Sequence, residues 1–405
     1  MKISQRAVSI QESPIRKLAP LAAAARAQGV KIFNLNIGQP DVATPPEFLR
    51  AVSGFKEKVL EYGPSDGLPE LREAMATYFA RFEITVEPSE ILITNGGSEA
   101  VMFAFNVVAD DGEEIIIPEP FYTNYNGYAA LANLNIVPVR TRAEDGFHLP
   151  PDDVLEAAVT PRTRAVLVCS PNNPTGTVLT WEELNRLATF AERHDLFLIA
   201  DEVYKEFTYD GRRHRSILEL QGVERRVIVV DSISKRFSAC GARVGAVISR
   251  NPEVMAAVLK FGQARLCPPT LEQLGAIAAY RLDEGYFDRV REEYQRRRNI
   301  MYEALTRDQG IVLKRPRGAF YMIVKMAGVP DSEDFARWLL EEHRLEGETV
   351  LVAPAGGFYA TPGAGGDEVR MAYVLEVPKL ERAMAVFLTG LERYRALRHA
   401  TAHAV

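Results

Sequence analysis

Between Ala165 and Ala200 the chain reads as an apolar strand, a sharp polar turn, an amphipathic helix and a second apolar strand. No other stretch limits the possible folds so strongly. Ala165 to Cys169 is apolar throughout, and the turn Ser170, Pro171, Asn172, Asn173, Pro174, Thr175, Gly176 stops it. Thr180 and Glu183 stand in capping-box spacing and open a helix that runs to about Asp195. Leu184, Leu187, Ala188 and Ala191 recur on one face of that helix, and Leu196 to Ala200 is the next strand. A strand, helix, strand unit brings its two strands together in parallel, so the chain is expected to be an α/β protein.

Ligands of doubly wound sheets bind beyond the carboxyl ends of the strands. Asp201, Glu202 and Tyr204 stand immediately past the second strand, and Asn173 lies in the turn after the first. The short strand Ile91 to Thr94 leads into Asn95, Gly96, Gly97, Ser98 and Glu99, then into a helical pattern. This junction is either an anion site, built from backbone N–H groups and the helix dipole, or a helix N-cap by Ser98. A third run, Val227 to Val230, leads through Ser232 and Ser234 to Lys235, and Arg243 follows eight residues later, at the start of another strand. A lysine that forms an imine must be held still, partly desolvated and near an anion site. Ser98, Asn173, Asp201, Tyr204 and Lys235 all fall at one edge, which scattered surface polar residues would not do.

The remaining chain frames that edge. Residues 1 to about 30 read as an arm and a helix ending at Gly29, followed by the ordered loop Asn34 to Pro46. The Gly/Pro loop Tyr62 to Pro69 feeds a helix whose Leu71, Met75, Tyr78, Phe79 and Phe82 form a core face. Glu113 to Ile117 and Asn135 to Arg140 are strands, and the loop Pro118 to Tyr125 carries three aromatics that offer a face to a flat ligand. From about Gly285 the texture changes to a long charged helix, short strands around Arg317 to Lys325, a helix from Ser332 to His343 and a strand from Glu368 to Leu375. A last helix packs through Leu380, Met384, Phe387, Leu388 and Leu391. This reads as a smaller α+β domain completed by the N-terminal segment.

With 405 residues the chain exceeds one ordinary core and suits two domains. Its formal charge of −6 offers no footprint for nucleic acid or an acidic membrane surface. The three cysteines show no C-x-x-C spacing and do not cluster with the six histidines, so no metal site and a reduced, cytoplasmic setting are expected. No apolar run approaches the roughly 18 residues of a membrane span. Leu18 to Ala25 follows Arg16 and Lys17 but is Ala-rich, contains Pro20 and has Glu12 upstream, so it reads as a helix start and not a signal peptide.

Together, the SxSK run with its arginine eight residues on, the ADEVY of Ala200 to Tyr204 and the NNPTG of Asn172 to Gly176 resemble the class I and II aminotransferases. These are fold type I enzymes that use pyridoxal 5′-phosphate, and the resemblance covers nearly the whole chain. It implies a large domain, 48–288, with a mostly parallel seven-stranded sheet flanked by helices, and a small domain from 1–47 with 289–405. It casts Lys235 as the lysine that forms the Schiff base and shuttles the proton, and Asp201 as the carboxylate that keeps the pyridine nitrogen protonated. Tyr204 and Asn173 match the donors to the phenolic oxygen, and Tyr122 the ring that stacks on the pyridine. Ser98, Ser232, Arg243 and the backbone near Gly97 and Glu99 match the phosphate site. Tyr62 matches a tyrosine reaching the neighbouring subunit's phosphate, which implies a homodimer. Arg370 and Gly38 match the contacts to the substrate's α-carboxylate. The substrate's far end is left to Arg265, from the partner subunit, or to Arg16, with aspartate or glutamate and 2-oxoglutarate expected first and aromatic or alanine-type donors behind. On the same scaffold, related sequences carry out β-elimination or decarboxylation.

Overall fold

Thr180 and Glu183 close a reciprocal cap: the Glu183 N–H donates to Thr180 Oγ1 at 3.2 Å, and the Thr180 N–H donates to Glu183 Oε2 at 2.7 Å. The helix Trp181–Arg193 starts there and returns the chain to the strand Phe197–Asp201, which pairs in parallel with Thr163–Cys169. The computed structural model, which describes residues 1–402, extends this unit into a seven-stranded sheet. Its order is Ile91–Asn95, Val244–Ile248, Val227–Ser232, Phe197–Asp201, Thr163–Cys169, Glu114–Glu119, Asn135–Arg140. Val244–Ile248 runs against both neighbours, and the other pairings are parallel. The sheet is therefore mostly parallel, as expected for this fold class.

Both faces of the sheet are dry. Val166, Val168, Leu198, Ala200, Val227 and Val229 point to one side, where Leu71, Phe79, Leu184 and Leu187 cover them. Their alternates Ala165, Leu167, Ile199, Ile228 and Val230 point to the other, under Ala100, Ala104 and Phe105 of the helix Gly96–Val108. Two covered faces explain why these strands are apolar at every position rather than at every second one.

A separate core gathers around the strands Ala353–Pro354, Glu368–Ala372, Tyr321–Met326 and Ile311–Val312, which pair antiparallel in that order. The helices Ser332–Glu341 and Val377–Ala402 pack on it through Phe335, Leu339, Phe387 and Leu391. Leu18, Ala22, Phe33 and Leu35 of the N-terminal segment join the same core, and the strand Lys31–Asn34 pairs in parallel with Glu348–Leu351.

Two local expectations are corrected. Ser98 is not the N-cap of its helix: Asn95 holds that position, Gly96 begins the helix, and Ser98 lies inside the first turn. Of the three aromatics between Pro118 and Tyr125, Phe121 is a core residue away from the main cleft, Tyr125 is fully buried at its wall, and Tyr122 is the half-buried ring that borders it. A strand ends at Glu119 and a helix begins at Asn124, so the intervening loop is too short to hold three rings away from the sheet. Among the described residues no helix is long and apolar enough to cross a membrane.

Candidate active site

The strand ends converge. Asp201 is the last residue of Phe197–Asp201, Lys235 lies on the one-turn helix Ile233–Arg236 after Val227–Ser232, and Asn173 lies in the turn beyond Thr163–Cys169. They border one cleft of about 500 Å³, joined from the large sheet by Gly97, Ser98, Tyr122, Tyr204, Ser232 and Arg243. Gly38, Arg16 and Arg370 reach it from the other core and the N-terminal segment. Two sheets, each with its own core, thus supply the walls.

Lys235 points its amine across the cleft, donating from Nζ to the Gly38 carbonyl at 3.0 Å, with the Tyr204 ring centre 5.9 Å away. A Cβ at position 38 would lie 1.7 Å from the Tyr321 hydroxyl, so any side chain there would force the Tyr321 ring to move. Asp201 is buried, and burial raises its pKa to about 6 against the opposing pull of two hydrogen bonds. Those bonds come from the Tyr125 hydroxyl at 2.7 Å and the Val203 N–H at 3.3 Å. Tyr204 and Tyr321 share a hydroxyl contact of 2.9 Å, and burial followed by that neighbour holds the Tyr204 phenol well above its ordinary pKa. Burial also raises the Tyr122 phenol, whose oxygen accepts from Asn124 Nδ2 at 2.8 Å.

The anion cradle is built by close approach. The strand Val244–Ile248 lies so near the start of the helix Gly96–Val108 that a Cβ on Gly245 would fall 2.5 Å from the Gly96 carbonyl carbon. Arg243, just before that strand, holds φ at 55°, an uncommon conformation for a side-chain-bearing residue. The bend lays its guanidinium over Gly96, where it donates to the Cys240 carbonyl at 3.2 Å. Helix N–H groups, a guanidinium and the Ser98 and Ser232 hydroxyls therefore face one spot.

Arg370 is the second anion site. Its Nη1 donates to Asn173 Oδ1 at 3.0 Å and its Nη2 to the Asn36 carbonyl, while Nε has no partner. It is 1% exposed, lies 4.6 Å from the Tyr321 ring centre, and has no carboxylate beside it. Burial lowers its pKa, but a guanidinium remains charged.

Three residues expected from the sequence are not part of this chain's cleft wall. Tyr62 is 81% exposed and outside it. Glu99 turns its carboxylate away to accept from the Asn95 N–H at 2.8 Å and to pair with Arg265 Nε at 3.3 Å. Arg265 also donates to the Ile93 carbonyl at 3.0 Å and the Ser65 carbonyl at 3.3 Å. Conversely, Tyr125, Tyr321 and Asn36 hold site residues in place without any local sequence pattern to mark them. Among the described residues, no group of three or more His, Cys, Asp or Glu side chains is arranged for a metal ion.

The donor set fits pyridoxal 5′-phosphate. An amine for its aldehyde, a buried carboxylate for its ring nitrogen, a flat Tyr122 face and a cationic cradle for its phosphate meet in one cleft of suitable volume. At the carboxyl edge of a mostly parallel seven-stranded sheet, this defines a fold type I pyridoxal-phosphate enzyme. The family profile described as aminotransferase class I and II matches residues 30–377, and the chain belongs to that family. Its members are transaminases that act on small amino acids and 2-oxo acids with this cofactor. The aromatic-amino-acid aminotransferase 2 of Thermococcus litoralis is 36% identical over 95% of this chain and 97% of its own. The aspartate aminotransferase of Geobacillus stearothermophilus is 32% identical over the same shares. Among solved structures, the aspartate aminotransferase of Thermus thermophilus with maleate superposes with a TM-score of 0.86 at 32% identity, covering 96% of this chain and all of that one.

Proposed function

We propose that the enzyme moves the amino group of a dicarboxylic L-amino acid, aspartate or glutamate, to a 2-oxo acid such as 2-oxoglutarate, in two half-reactions at one site. The observation that carries transamination of an α-amino acid is Arg370, a buried guanidinium in the cleft wall with no anion beside it and its Nε unpartnered. Leaving such a charge uncompensated is costly, and a substrate α-carboxylate satisfies it in fork geometry. Gly38 adds a backbone contact beside it.

When bound, pyridoxal phosphate supplies an aldehyde for amine exchange and a protonated ring that takes up the electron pair of the substrate's Cα–H bond. Lys235 would hold the cofactor through its amine and would serve as the group that takes and returns the substrate's Cα proton. Its amine reaches across the cleft to the Gly38 carbonyl at 3.0 Å, beside the proposed α-carboxylate site. Asp201, oriented by Tyr125, would hold the proton of the ring nitrogen. Tyr204 and Asn173 would donate to the phenolic oxygen. Tyr122 would cover the ring, and Ser98, Ser232, Arg243 and the N–H groups near Gly97 and Glu99 would hold the phosphate.

For the substrate's far carboxylate we favour Arg16. The cations lining the cleft among the described residues are Arg16, Lys235, Arg243 and Arg370, and the last three have assigned tasks. Arg265 has its guanidinium engaged with Glu99 and two carbonyls, which argues against it. The maleate of the Thermus thermophilus relative is itself a dicarboxylate. A second reading, an aromatic donor, draws on Ile15, Ile37 and Tyr128 in the same wall and on the Thermococcus litoralis relative. The working enzyme is proposed to be a cytoplasmic homodimer in which Tyr62 completes the partner's phosphate site. Residues 48–288 form the large domain, and 1–47 with 289–405 the small one.

The test is the visible absorption of the purified protein while single amino acids are added without an oxo acid. Loss of the cofactor's band with aspartate or glutamate supports the proposal. Loss only with aromatic or small apolar donors moves the choice to the second reading. A persistent band with release of pyruvate, ammonia or carbon dioxide makes the enzyme a lyase or decarboxylase.

A further inference from the structure

Behind the cleft lies a group of buried charges to which the proposed chemistry gives no task. Lys205, Asp231 and Arg236 are 2%, 0% and 1% exposed. Lys205 Nζ donates to Asp231 Oδ2 at 2.9 Å, and Arg236 Nη2 donates to Asp231 Oδ1, which also accepts the Ser232 N–H at 2.8 Å. Rings enclose the cluster: Lys205 Nζ lies 3.7 Å from the Phe79 ring centre, and the Arg236 guanidinium 4.7 Å from that of Tyr78. The Tyr280 hydroxyl accepts from Arg236 at 3.4 Å, and the Tyr78 hydroxyl donates to Glu206. Replacing a buried ion cluster with apolar side chains is often neutral or stabilising, so stability alone does not account for it.

Its placement does. Each member is the immediate neighbour of a cleft residue: Lys205 of Tyr204, Asp231 of Ser232, Arg236 of Lys235. The helix bearing Lys235 is one turn long, Ile233–Arg236, and so short a helix has no stability of its own to aim a side chain. Something outside must hold it. At its start Ser232 Oγ accepts the Ser234 N–H at 3.2 Å; at its end Arg236 is tied to Asp231 on the strand from which the helix departs. Lys205 fixes the other oxygen of that carboxylate from the turn after the neighbouring strand. Lys235 itself has a flexible methylene chain, a bond from Nζ to the Gly38 carbonyl and a long contact of 3.9 Å to Cys240 Sγ, none of which fixes the direction in which the helix points.

We infer that Lys205, Asp231 and Arg236 form a buried ionic clamp that orients the one-turn helix and so positions the Lys235 amine. This rests on the role proposed for Lys235, and these three are positioning residues that do not touch substrate or cofactor.

The experiment compares apoenzyme binding of pyridoxal phosphate, which bonds to Lys235, with binding of pyridoxamine phosphate, which does not. Wild type serves first: failure to bind the aldehyde form with a visible band overturns the functional reading before the clamp is tested. The variant Lys205→Met/Asp231→Asn/Arg236→Met removes the charges together, avoids leaving one unpaired, and keeps an acceptor for the Ser232 N–H. The clamp predicts an apoenzyme with near-wild-type melting temperature, roughly 10-fold or greater loss of affinity for the aldehyde form, and amine-form affinity within about 3-fold, since misplacement by about 1 Å is enough for such losses. Equal loss of both forms, or no loss of either, overturns it. Should the triple variant not fold, Arg236→Lys keeps the charge but not the fork, and the same split, or its absence, decides the matter.

Discussion

Tyr125 donates its hydroxyl hydrogen to Asp201 across 2.7 Å, with both side chains buried at the wall of the cleft. The tyrosine anchors the carboxylate from a helix 76 residues earlier in the chain. Even with that bond, burial sets the Asp201 pKa to about 6, above its ordinary 3.8.

A raised carboxylate makes stability fall as pH rises. The folded apoenzyme favours protonated Asp201, so this contribution is complete below about pH 4 and lost as pH climbs through about 6. The shift is worth roughly 3 kcal/mol. Urea midpoints of the apoenzyme between pH 4 and 7 should show that decline, and Asp201→Asn should flatten it. A variant slope equal to wild type would refute the assignment.

Lys235→Ala should keep the fold and bind cofactor only noncovalently. Turnover should drop by roughly 10⁴-fold or more, because both the bonding amine and the proton carrier are gone. Steady-state rates with circular dichroism as a folding control measure this.

Arg370→Leu should reduce kcat/KM by about 100-fold, ~3 kcal/mol, through loss of the paired contact to the α-carboxylate. Arg370→Lys should recover little, since an ammonium cannot reproduce the fork or hold Asn173 and the Asn36 carbonyl together. Full rescue by lysine would show that charge alone matters.

Arg16→Leu should raise KM for aspartate roughly 10-fold and leave alanine nearly unchanged, a modest effect because the side chain is exposed. Arg265→Leu should affect both donors alike and lower the melting temperature, since Glu99 loses its partner in a mostly buried setting. If Arg265→Leu were the one to change the preference, the assignments would be exchanged.

Much of this protein was determined by local sequence. Apolar runs of strand length, the Thr180 to Glu183 cap and the polar residues just past each run led to a parallel sheet with Asn173, Asp201, Tyr204 and Lys235 on one edge, because period and capping act over a few residues. Only the tertiary structure decided the rest. Lys235 meets Gly38 across 197 positions, Arg370 meets Asn173 across another 197, and Tyr321 reaches Tyr204 across 117. How the helix after them packs decided which of the aromatics near Tyr122 sank into the core, and within the chain Arg265 pairs with Glu99. Such partners are selected by packing two separate cores against each other, and no short-range pattern records which side chains will meet.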